Sequence, residues 1–529
     1  MKKTIKKLTA VGLTLTSVMG LVACGSSNDS NAAGGSSSSK EVTKPDKFTI
    51  MCDSTVVTET NGAAAFYEQL KTATGLDFQW TRPDHSGYYD AVANAFNSDE
   101  TMPDVVLLSS DYYALYASNG FLWNMTDAWN SSETKKSGRL ISTADNVLSA
   151  LMVNGEDGTK AMYGFSPYRG NGCCTYIKKA WLDAAGINTA DVEGKTLDFN
   201  TYYGYLKQMA ANKGHYVISA PGFISNEAPY TNYLPEFYQQ ASYTFYKNSS
   251  GQYVDGFAED KMKEALQRIQ TAVNDGIIDK ESVNNSTSNA RDKFYSTDAG
   301  SESGVFTYWA GTWANTLKTQ LATKGLDNEL IAIKPIKELG TYVERIACWC
   351  ITTAAKNPEG IFKYFIDTML DGGDVQTLWE YGAKGTHWDT KAETVTLAKD
   401  DEGKKTKTYE EGQFHFLPQP ESPDKLMSKN HIDPILALAK FQDGKEDPGA
   451  SAMTETAKAN GDFFAENSTV AVPLPMTTAL SENITDINTA RNYVISQVAL
   501  GYMTVDEGMN YYKTTVGSLA DTVLKSLNK

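Results

Sequence analysis

The 529-residue sequence predicts an α/β protein of two lobes. Residues 48 to 111 alternate short apolar runs with amphipathic stripes, strand–helix–strand–helix–strand, the signature of a doubly wound parallel sheet. Strand-then-helix pairs recur near 173–185 and 303–315. The chain is also longer than one hydrophobic core sustains, since cores stop growing at about 250–300 residues.

The elements are justified in order. Phe48 to Cys52 is a buried strand that ends in Asp53-Ser-Thr. Gly62 to Thr74 is a helix, with Phe66, Leu70 and Ala73 on one stripe. Leu76, Phe78 and Trp80 alternate with polar residues as a second strand, and Tyr88, Val92 and Phe96 mark a second helix. Val105 to Leu108 is a third strand, stopping at Ser109-Ser110-Asp111. Ligands of doubly wound sheets sit beyond the C-terminal strand ends. Asp53 and Asp111 therefore belong to one rim. Further on, Ala161 to Phe165 and Cys173 to Ile177 are extended, and a helix carries Trp181, Leu182 and Ala185. Met262, Leu266, Ile269 and Val273 stripe a long helix from about Glu259 to Asp275. Ser303 to Trp309 is a strand, followed by a Gly-containing turn and a helix start near Asn315, and Leu330 to Ile336 crosses back as a strand. Pro358 suits the first turn of a helix with Ile361, Phe365 and Met369 on its stripe. Residues 396 to 412 form an exposed hairpin or loop, and Asn488 to Thr515 two helices joined at Gly501.

The first 23 residues have the layout of a secretory leader: Lys2, Lys3, Lys6 and Lys7, then an interrupted apolar stretch from Leu8 to Met19, then Leu21-Val22-Ala23. That stretch is shorter than the roughly 20 apolar residues a membrane-spanning helix needs. Leu-Val-Ala-Cys-Gly resembles a bacterial lipobox, which makes Cys24 the lipidation site. The Ser/Gly/Asn tract from Gly25 to Ser39 is too polar to fold and serves as a tether. The net charge of −16 falls to about −20 once the four leader lysines go, which excludes nucleic acid and anionic lipid surfaces as partners. Cys52, Cys173, Cys174, Cys348 and Cys350 lack zinc-ligand spacing and read as buried strand residues, so no metal and no cofactor is expected. A disulfide between the two cysteine pairs stays open. The 9 Trp and 29 Tyr supply flat rings of the kind sugar recognition uses.

Several segments resemble the extracellular solute-binding proteins of ABC importers, in the superfamily of maltodextrin-binding proteins. MPDVVLLSSDYYALYASNGFLWNMT (Met102 to Thr126) resembles the strand, ligand loop and helix of that family; GFSPYRGNGCCTYIKKAWLDAAGI (Gly164 to Ile187) resembles its hinge strand and following helix. GVFTYWAGTWANTL (Gly304 to Leu317) resembles the turn that presents a stacking aromatic, AAKNPEGIFKYFIDTML (Ala354 to Leu370) its Asn-Pro-Glu helix start, and GYMTVDEGMNYYKTTV (Gly501 to Val516) its terminal helix pair. YGAKGTHWD (Tyr381 to Asp389) resembles the larger Gram-positive lipoproteins of the group. The resemblance implies a two-lobed periplasmic-binding-protein-like fold with a hinge between the lobes and the ligand in the cleft. It implies no enzyme but a monomeric, lipid-anchored binding component outside the cell membrane, which captures an oligosaccharide by closing and passes it to the permease. The division this implies is 1–23 leader, 24–47 tether, 48–167 and 335–415 first lobe, 168–334 and 416–529 second lobe.

A sugar offers C–H faces and hydroxyl edges, so its site needs aromatic platforms with converging donors and acceptors. Trp313 is the first candidate platform, lifted off a strand end by its turn. Tyr308 and Trp309 alternate on that strand, so only one faces the site. Asp111, with Tyr112 beside it, is the leading polar candidate; Asp53 is similar. Tyr168 and Arg169 lie at the crossover between lobes, as ligand contacts or as a loop salt bridge, Phe223 is a second-lobe candidate, and Trp349, with Arg345 upstream, either lines the cleft or is a buried strand tryptophan. An arginine pocket at Arg82, Arg169 or Arg345 would admit acidic glycans. Two rival readings are a tethered glycoside hydrolase, which needs two carboxylates flanking the scissile bond, and a peptide- or other small-solute-binding lipoprotein.

Overall fold

The computed structural model describes residues 41–54, 62–84, 87–224, 231–400, 403–419, 422–426, 435–471, 474–475 and 477–529. The leader, Cys24 and the tract from Gly25 to Ser39 lie outside them.

The chain opens with β1 (Lys47–Met51), α1 (Ala63–Thr74), β2 (Asp77–Thr81), α2 (Tyr88–Ala95), β3 (Val105–Ser109) and α3 (Ser110–Ser118). α1 forms because Ala63, Phe66, Leu70 and Thr74 share one buried face. It ends at Gly75, whose φ of 64° lets its N–H cap the Lys71 carbonyl at 2.8 Å. All five residues of β3 are buried, as expected of a strand covered on both faces. Next come β4 (Gly164–Phe165) and, in a second body, β5 (Cys173–Lys178), α4 (Asp260–Asn274), α5 (Thr287–Phe294), β6 (Val305–Trp309), α6 (Thr312–Thr323) and β7 (Leu330–Ala332). β8 (Tyr342–Glu344) leads back to β9 (Ala347–Ile351) and α7 (Asp374–Tyr381). The chain finishes with α8 (Glu455–Glu466), β10 (Ser468–Val470), α9 (Thr478–Ala499) and α10 (Val505–Leu527).

The first sheet runs β2-β1-β3-β9-β4. β1 is parallel to β2 and β3, but β9 is antiparallel to both β3 and β4. The sheet is therefore mixed, not all-parallel as expected, because β9 enters from the other body. The second sheet, β6-β5-β7, is antiparallel throughout. The predicted strand Leu330 to Ile336 keeps strand form only to Ala332, and the segment from Pro358 to Leu370 passes from α- through π- to 3-10 geometry. The hairpin 393–409 and the two closing helices are present.

Two separate hydrophobic bodies result. The first gathers Phe48 to Phe165 with Ile346 to Ala383 and also Leu438 and Ala439. The second gathers Ile177 to Ile336 with Leu480 to Val523, extended by a cluster that includes Tyr342 and Phe464. Ile336 and Tyr342 thus pack with the second body, and Leu438 and Ala439 with the first, against the division at 335 and 416 drawn from the sequence. The five described cysteines are buried thiols. No bond joins the two cysteine pairs. Among the described residues no helix is long and apolar enough to cross a membrane.

One buried carboxyl of the second body has a measurable consequence. Glu236 is 1 % exposed and accepts a hydrogen bond from Thr175 Oγ1 at 2.7 Å. Burial pushes its pKa up from 4.5 to about 7. Its contribution to stability is full below the unfolded-state value of 4.5 and is lost as pH rises through the folded value near 7. Above that, keeping the carboxylate in the fold costs about 3 kcal/mol. Glu236→Gln is expected to gain on the parent in thermal melts as pH rises from about 5 to about 8. A constant difference across that range would refute the assignment.

Candidate functional site

Four extended segments pass between the two bodies and hydrogen-bond to one another. Arg169 N donates to Leu436 O at 2.8 Å and Leu438 N to Pro167 O at 2.9 Å. Asn171 and Arg345 exchange backbone bonds at 3.2 and 2.9 Å, and β8 pairs in parallel with β10. Gly172 is required by this crowding: a Cβ there would sit 2.2 Å from the Val343 carbonyl oxygen. Glu344, 2 % exposed, is held from two sides, by an ion pair with Arg169 and by the Ser468 hydroxyl at 2.7 Å.

On the first body, the C-terminal ends of β1 and β3 deliver Asp53 and the start of α3 to one edge. Asp111 belongs to α3, but its side chain lies outside the described residues. The neighbouring ring of Tyr112 is half-buried and stacks on Tyr89, with centroids 3.7 Å apart and planes within 5°. Tyr89 is fixed in turn, its Oη accepting from Ser109 N at 2.9 Å. Burial raises the Tyr89 phenol, the Ser109 bond and Arg345 oppose that rise, and Asp53 adds to it. Arg345 likewise acts against the burial that raises Tyr168. Asp53, Tyr89, Arg345 and Tyr168 therefore share one electrostatic neighbourhood beside the crossing segments. Tyr89 escaped the sequence reading because the helical stripe there runs through Tyr88. One residue further along a helix turns about 100° away, and a Tyr-Tyr pair at a helix start was the available signal.

On the second body, β6 ends beside the same segments. Trp309 pairs with Cys173, Ala310 N donates to Gly172 O at 2.9 Å, and Asn171 Nδ2 to Ala310 O at 3.3 Å. Gly311 turns the chain with φ 68° and donates to Asn460 Oδ1 at 2.7 Å, starting α6. Trp313, in its first turn, is half-buried, edge-on to Tyr308 at 4.9 Å, with the Arg291 guanidinium 5.3 Å from its ring centre. Trp309 is also half-buried, so of the alternating pair it is Trp309 that keeps exposed surface.

Tyr308, Phe223, Trp349 and Arg169 are the buried candidates. Tyr308 is 4 % exposed, with its ring on Phe306 and its hydroxyl accepting from Arg291. Phe223 is 3 % exposed, inside the second core. Trp349 is fully buried among Trp80, Phe365 and Trp379, at 6.3, 5.9 and 5.8 Å. A tryptophan on a central strand covered on both faces has no route to a ligand. Arg169 is 6 % exposed and committed to Glu344. Trp309, Trp313, Tyr112, Asp53, Tyr168 and Arg345 keep partial exposure and all lie close to the crossing segments.

No protein-family profile matches the chain, and no curated protein matches it by sequence. Solved structures do. An HMO-binding, ABC-transporter-associated solute-binding protein from Bifidobacterium longum infantis superposes with a TM-score of 0.57 at 13 % identity, covering 91 % of this chain and 98 % of its own. An alginate-binding protein solved without calcium gives 0.56 at 15 %, covering 92 % and 98 %. The fold is that of the ABC-transporter solute-binding proteins. A further solute-binding structure, an ABC substrate-binding protein from Listeria monocytogenes in complex with cycloalternan, gives 0.53 at 12 %, covering 89 % and 98 %. A solute-binding fold accounts for the two bodies and the knitted crossings, whereas the binding residues have to be argued from this chain alone.

Proposed function

We infer that the protein is the oligosaccharide-binding component of an ABC importer, anchored outside the cell membrane through Cys24. The observation that carries this reading is the presence of aromatic platforms at strand ends of both bodies, next to the crossings. Tyr112 on Tyr89 belongs to one body, and Trp309 with Trp313 to the other. Flat rings bury much area for few frozen torsions, and Asp53, Arg345 and Tyr168 add charged and hydroxyl partners for a sugar edge. A ligand touching both bodies has its highest affinity for the closed arrangement, so binding closes the hinge. The closed form then offers both lobes to the permease. Binding is the whole task, with no bond made or broken.

Calorimetric titration with neutral oligosaccharides tests this. Tyr112→Ala and Trp313→Ala are each expected to weaken binding roughly 10- to 100-fold, the cost of losing a central aromatic anchor. Unchanged affinity in both would remove the site, and reducing ends released during the titration would replace binding by hydrolysis. For the anchor, Cys24→Ser is expected to move the chain from the membrane fraction to the soluble fraction of the host. Retention in the membrane would count against it.

A further inference from the structure

A cavity of about 880 Å³ lies where the crossings meet, and its walls are not those of the strand-end platforms. Of the residues singled out in the sequence only Arg169 lines it. One wall, Ser142, Thr143, Gln376 and Glu380, belongs with the first body; the opposite wall is α8, through Gly461, Asp462 and Ala465, and α8 packs on α6 of the second. The segment from Ile435 to Lys445 closes the remaining side, contributing the ring of Phe441.

The polar groups at this cavity are built, not incidental. Gln376 is fully buried, its Nε2 donating to Glu380 Oε1 at 2.7 Å and to Ala439 O at 3.0 Å while its Oε1 accepts from Gly372 N at 3.0 Å. Glu380 is 1 % exposed, yet it borders the cavity. Arg169 and Glu344, although paired with each other, leave the buried Arg169 Nε and Glu344 Oε2 each without a hydrogen-bond partner among the described residues. A buried donor left unmet costs about 1–3 kcal/mol, so a group that supplies an acceptor there is favoured. Carboxylates among the lining residues outnumber cations five to three, which disfavours an anion. The volume falls within the roughly 300–1,000 Å³ of small-molecule sites, and the predominantly polar lining suits a hydroxyl-rich ligand.

We propose that this cavity is a carbohydrate site separate from the strand-end platforms, taking a neutral polyol the size of a disaccharide. Hydroxyls suit it because each both accepts and donates. One can accept from Arg169 Nε while others donate toward the Glu380 and Asp462 carboxylates, and a C–H face covers Phe441. The inference does not depend on the strand-end reading, and the two fail differently.

Equilibrium dialysis of the full chain with radiolabelled maltose, cellobiose and lactose tests it. Ala465→Trp fills the cavity from the α8 wall and Thr143→Trp from the other, so one well-folded variant, checked by near-UV circular dichroism, suffices. The expected result for at least one sugar is two bound molecules per chain. The filling variants lose one of them by at least 10-fold in affinity, and Tyr112→Ala weakens only the other. A single site lost on filling but untouched by Tyr112→Ala would uphold the cavity and overturn the strand-end platforms. A single site weakened by Tyr112→Ala and indifferent to filling would overturn the cavity site and leave the strand-end reading standing. No saturable binding of any of the three sugars would also overturn it.

Discussion

Arg491→Met is expected to lower the stability of the second lobe by about 3–5 kcal/mol, the cost of breaking one partner out of a buried ion pair. Arg491 is fully buried on α9. Its Nη2 donates to Asp255 Oδ1 at 2.8 Å, its Nη1 to Asn488 Oδ1 at 3.2 Å and its Nε to Tyr512 Oη at 3.3 Å. Tyr512, on α10, donates back to Asp255 Oδ2 at 2.8 Å. Four rings, Tyr243, Phe245, Phe257 and Tyr512, stand around the guanidinium at 4.8 to 5.8 Å. Methionine fills the volume but leaves the Asp255 carboxylate buried with no cation, and three parts of the chain lose their common tie. Urea unfolding followed by circular dichroism measures the loss. A change below about 1 kcal/mol would mean the carboxylate finds solvent or a proton instead.

Arg169→Met is expected to cost as much on the same grounds, but at the crossings rather than in a lobe. It leaves the Glu344 carboxylate buried, with the Ser468 hydroxyl still donating to it. The distinguishing measurement is the double variant Arg169→Met, Glu344→Leu. Replacing both charges by apolar groups removes the stranded carboxylate, so the double variant is expected to recover most of the loss, a coupling visible as strong non-additivity. Single-variant costs that simply add would show that the pair is not a unit. The midpoint shift should be accompanied by weaker sugar binding, since the segments that carry Arg169 and Glu344 also position Asn171, Arg345 and Tyr168.

Much of the fold was legible because the residues state it locally. The stripe through Phe66 and Leu70, the run Val105 to Leu108 and the Gly501 break between α9 and α10 each depend only on neighbours in sequence, and each stands where the residues put it. Thr504 and Glu507 even close a reciprocal cap at the start of α10. The direction of β9 was not legible, since alternation tells which strands are buried and not from which side they arrive. Trp349 and Phe223 stayed ambiguous for a related reason: an aromatic residue near a strand end reads alike whether it points at a core or at a ligand. The partnership of Tyr89 with Tyr112 depends on two separate helices, α2 and α3, and the cavity draws on stretches of chain that lie far apart in sequence.

The five unbridged thiols inside the strands and their margins have a bearing on how the chain matures. A secreted protein knitted by sulfur bridges must wait for an oxidase and for reshuffling of wrong pairs, steps of seconds to hours. Here nothing in the described fold asks for that chemistry. The slow event is left to topology: β9 cannot take its place between β3 and β4 until the chain has run through β5 to β8 and come back.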